Sequence, residues 1–118
     1  MALKNLVSKL TKPVEEHDRE KLVEFCSRLQ GCSSIEDLQP RTVARVVGEV
    51  SSVRIVPRAG AASLEVGVND GRGMLTAVFF GRRKVAGVSP GRRLVVEGMV
   101  APLGNRVYMY NPVYELLP

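Results

Sequence analysis

Leu64-Glu65-Val66-Gly67-Val68-Asn69-Asp70-Gly71-Arg72-Gly73-Met74-Leu75-Thr76-Ala77-Val78-Phe79-Phe80 is the stretch on which the fold turns. In its first arm Leu64, Val66 and Val68 alternate with Ser63, Glu65, Gly67 and Asn69. In its second, Leu75, Ala77 and Phe79 alternate with Thr76, Val78 and Phe80. A period of two sends alternate side chains to opposite faces, so each arm reads as a half-buried strand. Asp70-Gly71-Arg72-Gly73 between them is a hairpin turn, because glycine supplies the positive φ that the turn demands.

Upstream, Thr42 to Val56 is rich in Val and Ile, with Gly48 inside it. That is long for one strand, and the glycine predicts a bulge or sharp bend. Pro57 to Ala61 reads as a flexible loop. Downstream, Gly81 to Gly91 holds three adjacent cations, Pro90 and three glycines, so it is a linker with room for one turn of helix. Arg92 to Ala101 reads as a fourth strand, Pro102-Leu103-Gly104-Asn105 as a turn, and Arg106 to Tyr110 as a fifth strand. Pro112 interrupts the ladder, and Val113 to Leu117 extends along an edge. A long bent strand, a hairpin, a linker and a second hairpin are the strand plan of a mainly β, five-stranded OB-fold Greek-key barrel. An SH3-like barrel is the rival architecture; the linker between strands three and four favours the OB-fold.

The first third has a different period. Leu3, Leu6, Val7 and Leu10 mark one helical face, and Leu22, Phe25, Cys26 and Leu29 mark a second. Pro13 separates the two, Thr11 is placed to cap the second helix, and Glu15, Glu16 and Asp18 favour its first turn through the helix dipole. Gly31 stands where a left-handed C-terminal cap belongs. Ser34 to Leu38 reads as a brief helical turn. The expected division is a short helical N-terminal segment over 1–39, followed by the barrel over 40–118. Two short amphipathic helices need something to cover them: the barrel, or a second copy of the chain.

The chain has 118 residues, 45% hydrophobic and 25% charged, which suits one globular domain. No apolar run is long enough to span a bilayer, and the N-terminus lacks the apolar core of a signal peptide, so the expectation is a cytoplasmic protein without a membrane partner. Residues 1–39 carry six Lys/Arg against seven Asp/Glu, whereas 40–118 carry eleven against five. The whole net charge of +5 therefore comes from the second segment, and ten of its eleven cations are arginine. A basic domain attracts polyanions by counterion release, and arginine adds planar stacking and forked phosphate contacts.

Val47-Gly48-Glu49-Val50, Asn69 to Phe80, and Ser89-Pro90-Gly91-Arg92-Arg93-Leu94-Val95-Val96-Glu97-Gly98 together resemble the OB-fold (wedge) domain of RecG-type helicases. Asn111-Pro112-Val113-Tyr114-Glu115 resembles the tail that closes that domain. The likeness covers residues 41 to 118 in order. Gly81 to Gly87 with the Tyr114 to Pro118 terminus looks like the small stand-alone OB-fold proteins of actinobacteria, whose fold carries a presumed nucleic-acid-binding role. No Gly-x-x-x-x-Gly-Lys-Ser/Thr phosphate loop is present, so the resemblance implies a binding part without a helicase motor.

OB-folds of this kind bind across the second and third strands and the flanking loops, here Pro57–Ala62 and Pro102–Asn105. Single-strand binders join a cationic groove to aromatic platforms. The candidates are Arg54 and Arg58 at the first loop, Arg72 at the hairpin, Arg82, Arg83 and Lys84 in the linker, Arg106 after the second loop, and the rings of Phe80, Tyr108 and Tyr110. Each has a plainer reading: barrel packing for the rings, solubility for the cations. Arg82-Arg83-Lys84 and Arg92-Arg93 form either one basic patch or a solvated face away from the groove. Aromatics are only 5% of the chain with no tryptophan, so the affinity expected is modest, salt-dependent and weakly sequence-selective.

The alternative is a protein-interaction module that docks or dimerises through the N-terminal helices. Catalysis is not expected. His17 is the only histidine, Cys26 and Cys32 are the only thiols, and Glu49, Glu65, Asp70, Glu97 and Glu115 form no identifiable acid–base pair. The same inventory predicts no metal and no cofactor, with Cys26 a small buried hydrophobe and Cys32 a free loop thiol.

Overall fold

The structure is a computed structural model and describes residues 14–118, the side chains of Val14, Glu15 and Arg58 excepted. The expected Leu3–Leu10 helical stripe, Thr11 and Pro13 lie outside the described residues. Helix α1 (Val14–Ser27) is followed by a 3-10 turn (Ile35–Asp37), then by β1 (Val43–Arg58), β2 (Ala61–Asn69), β3 (Met74–Phe80), β4 (Arg93–Met99), β5 (Ala101–Leu103), β6 (Arg106–Tyr110) and β7 (Val113–Leu116). No described helix is long and apolar enough to cross a membrane.

The seven strands form one mixed sheet in the order β5-β6-β3-β2-β1-β4-β7. This corrects the expected five-stranded closed barrel: the sheet is an open half-barrel whose edges lie 15 Å apart. Two local events account for the difference. The stretch expected as one strand from Arg92 to Ala101 breaks at Val100, whose N–H donates to the Thr42 carbonyl (2.8 Å) while its own carbonyl accepts from the Arg41 N–H (2.9 Å). Beyond that break β5 pairs with β6, not with β1. The tail then occupies β4's other side: β4 pairs with β1 along one edge and with β7 along the other, leaving no edge for β6.

Two other expectations also change. The linker after β3 holds no helix, because Gly81, Gly87 and Gly91 all sit at positive φ (72°, 76° and 92°), outside helical space. Buried Val85 anchors it to the core. The loop expected at Pro57–Ala61 is a tight hairpin, with β1 running to Arg58 and only Ala59 and Gly60 (φ 43° and 83°) outside the strands.

Inside the half-barrel lie Val46, Val50, Leu64, Val66, Val68, Leu75, Ala77, Phe79, Leu94, Val96 and Met109; Leu64, Val66 and Val68 with Leu75, Ala77 and Phe79 are the alternating sets read from the sequence. The irregularity in β1 falls at Ser51, between Val50 and Ser52, not at Gly48. Gly48 is needed for a close approach instead: a Cβ there would meet Val68 Cγ1 at 2.6 Å and the Asn69 carbonyl oxygen at 2.8 Å. The extra residue at Ser51 has a large consequence. Val46 and Val50 point inward, and uninterrupted alternation would aim Arg54 inward as well. The one-residue shift instead pairs inward Val53 with Val66, and outward Ser52 and Arg54 with Gly67 and Glu65.

Helix α1 closes one end of the sheet around the β2–β3 turn. Buried Asp70 accepts three backbone N–H bonds: Oδ1 from Arg72 (2.9 Å) and Gly73 (2.8 Å), and Oδ2 from Ile35 (2.8 Å). Arg19 Nε donates to the Gly71 carbonyl at 2.6 Å, and any Cβ on Gly71 would collide with Val23 of the helix. The Arg93 guanidinium lies 4.2 Å from the centre of the Phe25 ring. The apolar side of α1 is thus engaged by its own sheet.

Candidate nucleic-acid interface

The outward face of β1, β2, β3 and β6 carries the candidate site, and its rows follow from strand register. Ser52, Gly67, Thr76 and Tyr108 lie side by side across the four strands; Arg54, Glu65, Val78 and Tyr110 form the next row. Ser63 and Phe80 begin a third. The parallel pairing of β3 with β6 is what brings Phe80 beside the two tyrosines.

Phe80, Tyr110 and Tyr108 form a continuous ladder of rings. Phe80 and Tyr110 have centroids 5.5 Å apart and planes within 6°, and Tyr108 and Tyr110 are 5.9 Å apart and within 4°. Phe80 is 45% exposed and Tyr110 39%, whereas Phe79, its neighbour in sequence, points into the core. Val78, opposite Tyr110 in the register, is fully buried although it faces outward. Asn111 sets the end of the ladder: at φ 49° its Oδ1 accepts the Phe80 N–H (2.9 Å), while its own N–H donates to the Val78 carbonyl (2.6 Å). Asparagine tolerates this left-handed conformation better than most residues.

Cations flank the rings. Arg106 is exposed and shares the β6 face with Tyr108 and Tyr110 by the two-residue period. It lines a groove of about 450 Å³ with Ser52, Arg54, Glu65, Gly67, Met74, Thr76, Asn105 and Val107. Arg54 reaches Glu65 at 3.4 Å across this groove, its side chain 65% exposed against 12% for the glutamate. At the other end of the ladder Arg82 lines a second hollow with Phe80, Asn111 and Tyr114.

The structure therefore brings Arg54, Arg82, Arg106, Phe80, Tyr108 and Tyr110 to one surface. Arg83 and Lys84 are exposed on the linker. The side chain of Arg58 lies outside the described residues. Arg72 stands apart, 3.4 Å from Glu36 and beside α1. Arg93 also turns toward the helix and lies 3.7 Å from Glu49, so Arg93 does not extend the face. Sequence reading placed Asn105 in a flanking loop but missed Ser52, Glu65, Gly67 and Thr76 as individual groove residues. Period two shows which of them face outward within a strand, but only the register at the Ser51 bulge makes them neighbours.

A hollow of about 190 Å³ between α1 and the sheet is lined by Cys26, Cys32, Asp70, Arg72 and their neighbours. Both thiols are free and half-buried. Burial first, and then the negative charge of Asp70, push the Cys26 thiol up to about 11, so it stays protonated and weakly nucleophilic. Among the described residues no group of three or more His, Cys, Asp or Glu is placed to hold a metal ion.

Known structures share this architecture. The chain is similar to the OBody AM1L10 in its structure bound to hen egg-white lysozyme, with TM-score 0.57 and 18% identity over 75% of this chain and 95% of that one. It is similar also to RecG bound to a three-way DNA junction, with TM-score 0.55 and 17% identity over 71% of this chain and 12% of that one. At these identities the likeness is one of fold alone. No protein-family profile and no curated protein sequence matches the chain.

Proposed function

We propose that this protein binds single-stranded nucleic acid, without catalysis, across the outward face of β2, β3 and β6. The observation that carries the reading is the near-parallel ring ladder of exposed Phe80 and Tyr110 and half-buried Tyr108, with Arg106 and Arg54 beside it. Rings at a sheet surface stack on bases only where the bases are unpaired, and guanidinium groups at the margin of the face neutralise the backbone. The basic excess of residues 40–118 supplies long-range attraction. The similar RecG fold was solved on a DNA junction, which favours the same ligand class here. Three rings make a short platform, so the affinity is modest and falls steeply with salt.

Fluorescence anisotropy with labelled single-stranded and duplex oligonucleotides across a salt series tests this. Single-strand preference with a steep salt dependence supports it, and no binding at low salt overturns it.

A protein partner is the second reading, favoured by a different surface. Val43, Met99 and Val113 are 66%, 53% and 71% exposed on β1, β4 and β7. The similar OBody was solved on a protein. Such a partner would dock on this apolar trio rather than on α1, whose apolar side already packs on the sheet.

A further inference from the structure

The groove beside Tyr108 is lined by hydroxyl groups, where a platform for bases alone needs none. Ser52, Gly67, Thr76 and Tyr108 share one row across β1, β2, β3 and β6. The bulge at Ser51 draws a further hydroxyl into that row: a Cβ on Gly67 would meet the Ser51 and Ser52 Oγ atoms at 2.7 Å each. Glycine at this position keeps the floor open and leaves two consecutive hydroxyls converging on it, with half-buried Thr76 opposite in the register. Met74 and Val107 line the same groove and offer carbon surface.

Charge sets where the backbone of a bound strand passes. On its other side Tyr108 pairs with Ala101 of β5, and Ala101, Pro102 and Leu103 carry no charge. Arg54 and Arg106 both line the groove instead. The phosphates therefore follow the groove, and a base stacked on Tyr108 directs its sugar into it. Glu65 belongs to the neighbouring row, that of Tyr110, and is engaged with Arg54. Its negative charge keeps phosphate off the floor and leaves that place to a neutral part of the nucleotide.

We propose that the strand bound here is RNA, distinguished from DNA by a ribose 2′-hydroxyl seated among Ser51, Ser52 and Thr76, an inference that rests on the single-strand reading of the face. The 2′-hydroxyl both donates and accepts, as serine and threonine hydroxyls do, so a bond of either direction forms without any change of charge. A deoxyribose presents only carbon and hydrogen at that position and leaves the three hydroxyls to water. The preference is modest, because the groove is open and water replaces the lost partner.

The test is anisotropy with oligouridylate and oligodeoxyuridylate of about twelve nucleotides, within the usual site size of such folds, which share every base and differ only at the 2′ position. The ribose oligomer is expected to bind about two- to tenfold more tightly, the scale of one net neutral hydrogen bond. A 2′-fluoro oligomer, which keeps the ribose pucker but cannot donate, binds more weakly than the ribose form. Ser52→Ala and Thr76→Val, checked for fold by circular dichroism, lower RNA affinity more than DNA affinity and bring the ratio toward one. Equal or tighter binding of the deoxy oligomer by the natural protein overturns the RNA preference and leaves the single-strand reading standing. A 2′-fluoro oligomer that binds as tightly as the ribose one, or a ratio unchanged in both variants, overturns the hydroxyl contact. Absence of binding to every oligomer overturns both readings.

Discussion

Tyr110 is the middle rung of the ladder, so replacing it by alanine separates Phe80 from Tyr108 and uncovers Val78. It stacks on both neighbours, at 5.5 and 5.9 Å. An aromatic pair contributes about 0.5–1.5 kcal/mol beyond the area it buries, so losing two lowers stability by about 1–3 kcal/mol. Binding falls for a separate reason. Tyr110 has a neighbour on each face and acts by holding the two outer rings in place; a base–ring stack is worth about 1–3 kcal/mol, so misaligning one outer ring weakens the single-strand affinity by about 5- to 150-fold. Tyr110→Phe keeps the ring and both stacks, so it retains stability and affinity close to the natural protein. Denaturant titration gives the first quantity, and anisotropy well below the unfolding transition gives the second. A Tyr110→Ala protein that is folded and binds single strands as tightly as the natural chain would refute the stacking argument. A Tyr110→Phe protein that loses binding would show that the hydroxyl, not the ring, makes the contact.

Arg106→Ala should reduce the slope of log affinity against log salt by about 0.7, one phosphate contact, whereas Arg72→Ala should leave it unchanged because Arg72 sits with Glu36 beside α1. Asp70→Ala leaves three backbone N–H groups without their acceptor around a buried turn. It should cost about 3 kcal/mol or more in chemical denaturation, and Asp70→Asn should recover part of that. Cys26 should alkylate more slowly than Cys32 when modified peptides are identified by mass spectrometry. Because the fold holds its proton from the ordinary 9.0 up to about 11, the native state keeps that proton where the unfolded chain has lost it. Stability should therefore be level below about pH 9 and decline as the pH rises from 9 toward 11.

The sequence carried the local parts of this structure well and the long-range parts less well. The alternation on either side of Asp70-Gly71-Arg72-Gly73 marks β2 and β3 with their inward and outward faces, and Arg106 to Tyr110 matches β6 residue for residue. The edge strand after Pro112 was also legible, as a short segment extending along an edge past a residue that breaks the ladder. Barrel closure was not legible, because whether β4 pairs with β6 or β7 depends on a single break at Val100 and on competition for one strand edge. The bulge at Ser51 leaves no local signature, since it is defined by what stands opposite it on β2. For the same reason the period of two places Tyr108 and Tyr110 together but says nothing of Phe80, which joins them through the register of Val78 with Tyr110. Arg72 stood with Arg54 and Arg106 among the candidate cations; only the docking of α1 beside it removes it from the face.

Two-dimensional NMR of the nitrogen-labelled protein, titrated with a short single-stranded oligonucleotide, tests the location of the binding face most directly. The amides of Glu65, Gly67, Thr76, Phe80, Arg106, Tyr108 and Tyr110 are expected to shift together and saturate with one affinity, while those of α1 and β7 stay in place. Shifts confined to α1, or to the Val43, Met99 and Val113 surface, would contradict it.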